Sequence, residues 1–157
     1  MPRIDRQNVP ARKGSGYPAP FAAPCAQRTR QRLGEAGGLT DFGVNLMRLP
    51  PGGWSSQRHW HSCEDEFVYV LEGEITLCED HGEIVLSPGD AAGWKANGRV
   101  GHCLINKTQQ NGVYLEVGTR SPVETTVYPD IDMRNERDKN GPRYLRKTGE
   151  PHPVRKA

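Results

Sequence analysis

The chain has 157 residues, 34 % of them apolar, with 18 glycines, 13 prolines and a formal net charge of +2. That length suits one ordinary domain rather than two, and the glycine and proline content favours a turn-rich, β-dominated protein over a helical bundle. No apolar run reaches the eighteen or so residues of a spanning helix, and Met1-Pro2-Arg3 opens no apolar block of the secretory kind, so a cytosolic protein is expected.

Residues 1–38 are rich in Pro, Gly, Ala and Arg, punctuated by Gly14-Ser15-Gly16 and Pro18-Ala19-Pro20, and are read as an irregular or extended N-terminal arm. The arm is basic: residues 1–33 hold seven Lys or Arg against the single acid Asp5. Residues 39–120 change texture to short apolar stretches, Phe42 to Leu49, Glu66 to Leu71, Glu74 to Cys78, Glu83 to Leu86, Gly101 to Ile105 and Val113 to Val117, as strands of a barrel. The breaks between them, such as Pro50-Pro51-Gly52-Gly53, Glu72-Gly73, Pro88-Gly89-Asp90 and Asn111-Gly112, suit tight turns. From Thr40 to Arg120 eleven Asp or Glu stand against six Lys or Arg. Residues 121–157 form a Pro-, Asp- and Arg-rich tail packing on the barrel, mostly irregular, with a short strand near Tyr144.

A basic arm laid against an acidic body, its own or that of a second copy, explains the charge pattern. Nucleic-acid binding is not expected, because no helix-turn-helix, zinc-finger or RNP pattern accompanies it. Cys25, Cys63, Cys78 and Cys103 lack C-x-x-C pairing and are read as free thiols.

His59-Trp60-His61 puts two imidazoles on one face of a strand, since side chains alternate with a period of two. Glu66 follows five residues later at the head of a strand-like run, and His102 opens the strand Gly101 to Asn106. Three imidazoles and a carboxylate suit one divalent ion such as Fe, Mn, Ni or Zn better than calcium, which prefers oxygen, and do not choose among them.

Gly53, five residues, His59-x-His61, four residues, Glu66, six residues and Gly73 resemble the first motif of the cupin superfamily, and His102 with Asn106 keeps the last interval of the second. Two departures mark that second motif: Ala96-Asn97-Gly98 replaces its Pro-x-Gly, and Gly98 stands three residues rather than two from His102. The stretches Gly14-Ser15-Gly16-Tyr17-Pro18, Ser56-Gln57-Arg58-His59-Trp60-His61, Asp65-Glu66-Phe67-Val68-Tyr69-Val70-Leu71-Glu72-Gly73 and Tyr114-Leu115-Glu116-Val117-Gly118-Thr119-Arg120 resemble small single-domain bacterial cupins of a sugar-phosphate-isomerase-like group. The resemblance implies an all-β jelly-roll or conical β-barrel, with the metal held by His59, His61, Glu66 and His102. It also favours a homodimer: both faces of the Glu66 strand are apolar, and the outer one, with Phe67, Tyr69 and Leu71, needs cover from a second copy or from the arm through Tyr17, Phe21 and Pro24.

Gln57 has the parity of the two histidines and could reach a metal-bound water or substrate, or sit as a polar residue of the barrel mouth. Trp54, Trp60 and Trp94 are read as packing residues, Cys63 as a bystander, Cys103 as facing away from the ion, and His81 and His152 as exposed loop residues. Four protein ligands leave one or two positions open on the ion, which points to an enzyme that chelates a small oxygen-rich molecule and assists isomerisation, lyase chemistry or dioxygen insertion. An isomerase would also need a proton carrier, and no residue announces itself in that role. The alternative is a non-catalytic small-molecule-binding or regulatory module; an attached DNA-binding domain, which regulatory cupins usually carry, is lacking.

Overall fold

A computed structural model describes residues 3–153. Thirteen strands follow one another: β1 (Ala11–Lys13), β2 (Thr29–Arg32), β3 (Phe42–Leu49), β4 (Trp60–His61), β5 (Glu66–Glu72), β6 (Ile75–Glu79), β7 (Gly82–Leu86), β8 (Ala91–Trp94), β9 (His102–Ile105), β10 (Gly112–Thr119), β11 (Glu124–Tyr128), β12 (Met133–Asp138) and β13 (Gly141–Leu145). All pairs are antiparallel. They form a six-stranded sheet ordered β1-β2-β3-β10-β5-β8, a four-stranded sheet β13-β12-β11-β4 and a three-stranded sheet β7-β6-β9, the jelly-roll arrangement expected. Isolated bridges Trp54–Ile105 and His59–His102 stitch the approach to β4 onto β9, linking the two smaller sheets.

Period-two alternation places the core. Met47 and Leu49 of β3, Val68 and Val70 of β5 and Tyr114 of β10 meet Ile75, Leu77, Leu86 and Leu104 in one buried cluster. On the opposite face of β5, Phe67, Tyr69 and Leu71 remain 44 %, 39 % and 40 % exposed. The β5–β6 turn depends on Gly73: its φ is +69°, and a Cβ there would lie 2.4 Å from the Asn111 carbonyl oxygen.

The arm and tail carry more regular structure than their composition suggested. Thr29–Arg32 adds to the edge of β3, and β11 and β12 precede the strand that spans Tyr144. Arm and tail also pack on each other: Tyr17 and Cys25 join Tyr128 and Met133 in a second buried cluster, with Phe21 and Tyr144 against it. Tyr17 and Phe21 are therefore spent on the tail and leave the outer face of β5 bare. His152, expected to be exposed, is buried: its Nε2 lies 2.7 Å from the Asp132 carbonyl oxygen and Phe21 packs edge-on against its ring. His81 is exposed as expected, and the four cysteines are free.

Candidate metal centre and its cavity

The backbone brings the histidines together before their side chains do. The His59 N–H donates to the His102 carbonyl at 3.0 Å, and the His102 N–H returns the bond at 2.9 Å. Residues so paired across an antiparallel bridge project their side chains to the same face. His61 shares that face as the second neighbour of His59, and Glu66 arrives at the start of β5 after the turn. The departure from the usual motif ahead of His102 is absorbed by a tethered turn: Asn97 and Arg99 adopt φ of +59°, the Asn97 N–H donates to the His61 carbonyl at 2.8 Å, and the Ala96 N–H donates to the Asp65 carboxylate at 2.7 Å.

Four donor atoms face one another inside this frame. His59 Nε2 lies 3.1 Å from His61 Nε2; Glu66 Oε2 lies 3.0 Å from His102 Nε2, 3.4 Å from His61 Nε2 and 3.8 Å from His59 Nε2. Ligands bound at about 2.1 Å to one ion sit roughly 3 to 3.5 Å apart, the spacing seen here. His59, His61 and Glu66 form one compact group, to which His102 is joined through Glu66, and His61 also belongs to a second group with Glu64 and Glu124.

The outward sides of the rings decide what the inward sides can do. His59 Nδ1 lies 2.9 Å from the Gln57 carbonyl and His102 Nδ1 3.2 Å from that of Val100. A carbonyl only accepts, so each Nδ1 carries the proton and each Nε2 presents a lone pair inward. Lone pairs of two rings and a carboxylate aimed at one point repel unless a cation lies between them, and this donor set fits a divalent metal ion.

The charge states of His59 and Glu66 agree with this; His61 holds a proton that an incoming ion would have to displace. Burial drives the His59 pKa down to about 3, keeping that ring neutral. Burial also works against charge on His61, but Glu124 and Glu66 outweigh it and lift its pKa to about 10. Burial likewise opposes ionisation of Glu66, and His102, His61 and His59 overcome it and hold the carboxyl well below its usual range.

Glu124, which the sequence did not single out, supports the centre together with Trp94 and Gln57, which it did. Glu124, only 2 % exposed, opens β11: it accepts the Ser62 and Cys63 N–H groups at 2.8 and 2.9 Å, and its Oε1 lies 3.4 Å from His61 Nδ1 without the alignment of a hydrogen bond. Trp94 packs as expected, and what it packs on is the His102 ring, stacked at 3.8 Å and 7°; its Nε1–H donates to Glu79 at 2.6 Å. Gln57 faces the arm, where its side-chain amide donates to the Phe21 carbonyl at 2.8 Å; its contribution at the centre is the backbone carbonyl against His59.

The cluster opens into a cavity of about 370 Å³ between the sheets. Glu116 of β10 and Asn45 of β3, neighbours in register, line it, and Asn45 Nδ2 donates to Glu116 Oε1 at 2.8 Å. Burial raises the Glu116 pKa and Glu66 adds to the effect, against the pull of Arg28 and Arg30. Glu116 shares inward parity with Tyr114, a signal present in the sequence.

Residues 45–118 match the family model described as the cupin domain. No curated protein sequence matches the chain. Among solved structures, a sugar phosphate isomerase from a cupin superfamily of Silicibacter pomeroyi is 45 % identical, with 95 % of each chain covered and a TM-score of 0.92. A candidate sugar phosphate isomerase from Acidithiobacillus ferrooxidans is 26 % identical over 99 % of this chain and 97 % of its own, with a TM-score of 0.79. The polyketide cyclase RemF of Streptomyces resistomycificus, 24 % identical over 76 % of this chain and 79 % of its own, shares the fold at a TM-score of 0.58.

Proposed function

Because the chain belongs to the cupin superfamily, we propose that it is a metal-dependent enzyme that isomerises a small, oxygen-rich metabolite. One observation carries this reading: the convergence of His59, His61, Glu66 and His102 Nε2 and Oε2 atoms at the wall of a cavity large enough for a small sugar. A divalent ion held by these four residues would polarise a carbonyl or enediolate of the substrate.

The chain's own groups supply the rest. The Gln57 and Val100 carbonyls and Glu124 hold the three rings, and Trp94 fixes the plane of His102. Glu116, raised above the usual carboxylate range inside the same cavity, is suited to take and return a proton at its carboxyl oxygen, the role for which the sequence offered no residue. The 45 % identical structure described as a sugar phosphate isomerase supports isomerisation over lyase or dioxygenase chemistry.

The test pairs elemental mass spectrometry with turnover of aldose and ketose phosphates, in the wild type and His61→Ala. Near-stoichiometric metal and turnover, both lost in a folded His61→Ala protein, are expected. A wild type that carries no metal, or a variant that turns over at the same rate, would sink the reading. Saturable ligand binding with no turnover of any substrate would instead identify a binding module.

The same reading has the protein act as a homodimer. Phe67 and Tyr69 stand opposite Val117 and Leu115 of β10, so the uncovered outer face of β5 is continuous with a further apolar row, an arrangement suited to a second copy. Sedimentation that returns a monomer at working concentration removes this part of the proposal.

A further inference from the structure

Arg28 and Arg30 are the groups in the cavity for which the metal centre has no use. Arg30 of β2 stands opposite Met47, whose side chain is fully buried in the core, so Arg30 points to the inner face of the six-stranded sheet. Arg28, two residues earlier, has the same parity, and both line the cavity. Arg28 Nε donates to the Gly14 carbonyl at 3.2 Å, which leaves its two terminal nitrogens free; the Arg30 guanidinium makes no hydrogen bond among the described residues. Among those residues no carboxylate oxygen comes within 4.0 Å of either guanidinium. The hydroxyl of Ser15, which lines the same cavity, is buried without a partner.

Two neighbouring guanidiniums, half-buried and with Glu116 as a counterion only beyond ion-pair distance, repel each other and are costly to hold. Burial lowers the Arg30 pKa, with Arg32 and Arg28 adding to the effect against Glu116; burial works the same way at Arg28, where Tyr17, Tyr114, Cys25 and Glu116 outweigh it and raise the pKa. The arrangement is one that an incoming anion would relieve. The position of these groups along the sheet sets the size of that anion's carrier. Glu66 stands on β5 and the arginines on or beside β2, with β10 and β3 between them, three strand spacings or about 14 Å along the sheet. Long arginine side chains shorten that span to the length of a small phosphorylated sugar.

We propose that Arg28, Arg30 and the Ser15 hydroxyl form an oxyanion subsite that takes the phosphate monoester end of the substrate while its oxygen-rich end lies against the His and Glu cluster. Phosphate is favoured over carboxylate because a monoester carries nearly two negative charges, matching two guanidiniums, and has three acceptor oxygens. The subsite deepens the isomerase reading and rests on it for the identity of the other end.

Calorimetric titration of the protein as purified with inorganic phosphate, and separately with acetate, tests the subsite in the wild type, Arg30→Gln and His61→Ala. The Arg30 side chain makes no hydrogen bond among the described residues, so its replacement by glutamine is expected to leave the β1-β2-β3 pairing intact and fold normally. Saturable phosphate binding is expected in the wild type, weakened about tenfold or more in Arg30→Gln and retained in His61→Ala. Absence of saturable binding in the wild type, equal binding by Arg30→Gln, loss of phosphate binding in His61→Ala, or acetate binding as tight as phosphate would each overturn the proposal. If the wild type carries no metal yet binds phosphate through Arg30, the isomerase reading falls and the subsite stands.

Discussion

Along β3, β10 and β5 the row of inward side chains changes character within a few residues. At one end Leu49, Met47, Tyr114 and Val70 are sealed against Ile75 and Leu77. At the other, on the same strands and the same face, stand Asn45, Glu116 and Glu66, lining a cavity. Most of the backbone geometry is shared: the β3–β10 register is intact from Leu49–Gly112 to Phe42–Thr119, and the β10–β5 register shifts once, between Val113 and Tyr114. Beyond that one irregularity, the difference lies in which side chains occupy the alternating positions. The apolar end gains stability by leaving water; the polar end gives some of it up to hold charged groups where a ligand can meet them.

If the two ends divide the work in this way, they should fail differently. The largest expected effect is on the apolar end: Met47→Ala should cost about 2–5 kcal/mol of unfolding free energy, because the side chain is fully buried and its neighbours are strands that cannot collapse into the space. Denaturant titration measures it, and metal content per folded chain should not change. A Met47→Ala protein that loses its metal while remaining folded would break the comparison by showing that the two ends are coupled.

A smaller effect is expected from Glu124→Gln. The carboxylate accepts two backbone N–H groups and faces His61 Nδ1, and an amide can offer its oxygen to one of these partners while its NH₂ meets another donor. Metal affinity should fall about 10–100-fold with secondary structure intact, as outer partners of metal-bound histidines generally show. Competition with a chelating dye reads the change. Unchanged affinity would mean that Glu124 only ties down the Ser62–Cys63 loop, and the polar end would shrink to the four residues proposed as ligands.

The legible parts of the molecule follow the same division. Turn residues and period-two alternation revealed β3, β5, β6, β7, β9 and β10, because the inner face of these strands is apolar over part of its length and the turns need Gly, Asn or Pro. The convergence of the four side chains proposed as ligands was legible from spacing, His59 and His61 by strand parity and His102 by the interval to Asn106. Glu124, Arg28 and Arg30 were not, since they come from the tail and the arm, and nothing in local sequence says that β11 will lie beside β4 or β2 beside β3. Those pairings are set by packing over long separations, with Tyr17 and Cys25 buried against Tyr128 and Met133. His152 escaped for the same reason: a polar residue among charges reads as surface until Phe21 and Asp132 close on it.

The subtlest test concerns what the polar end costs. Burial raises the Glu116 pKa above its unfolded value, so between the ordinary carboxylate range near 4.5 and the higher folded value the native chain holds more protons than the unfolded chain. Stability contributed by this group therefore falls as pH rises through that window and levels off above it; below the window, where both states are protonated, there is no penalty. Glutamine keeps the acceptor for Asn45 and does not titrate. The difference in unfolding free energy between Glu116→Gln and the wild type should shift in favour of the variant as pH climbs from acid to neutral. Denaturant curves at matched pH values check it. Parallel pH profiles would show that Arg28 and Arg30 already stabilise an ionised Glu116, in which case the polar end is less strained than its burial implies and the contrast with Met47 and Tyr114 narrows.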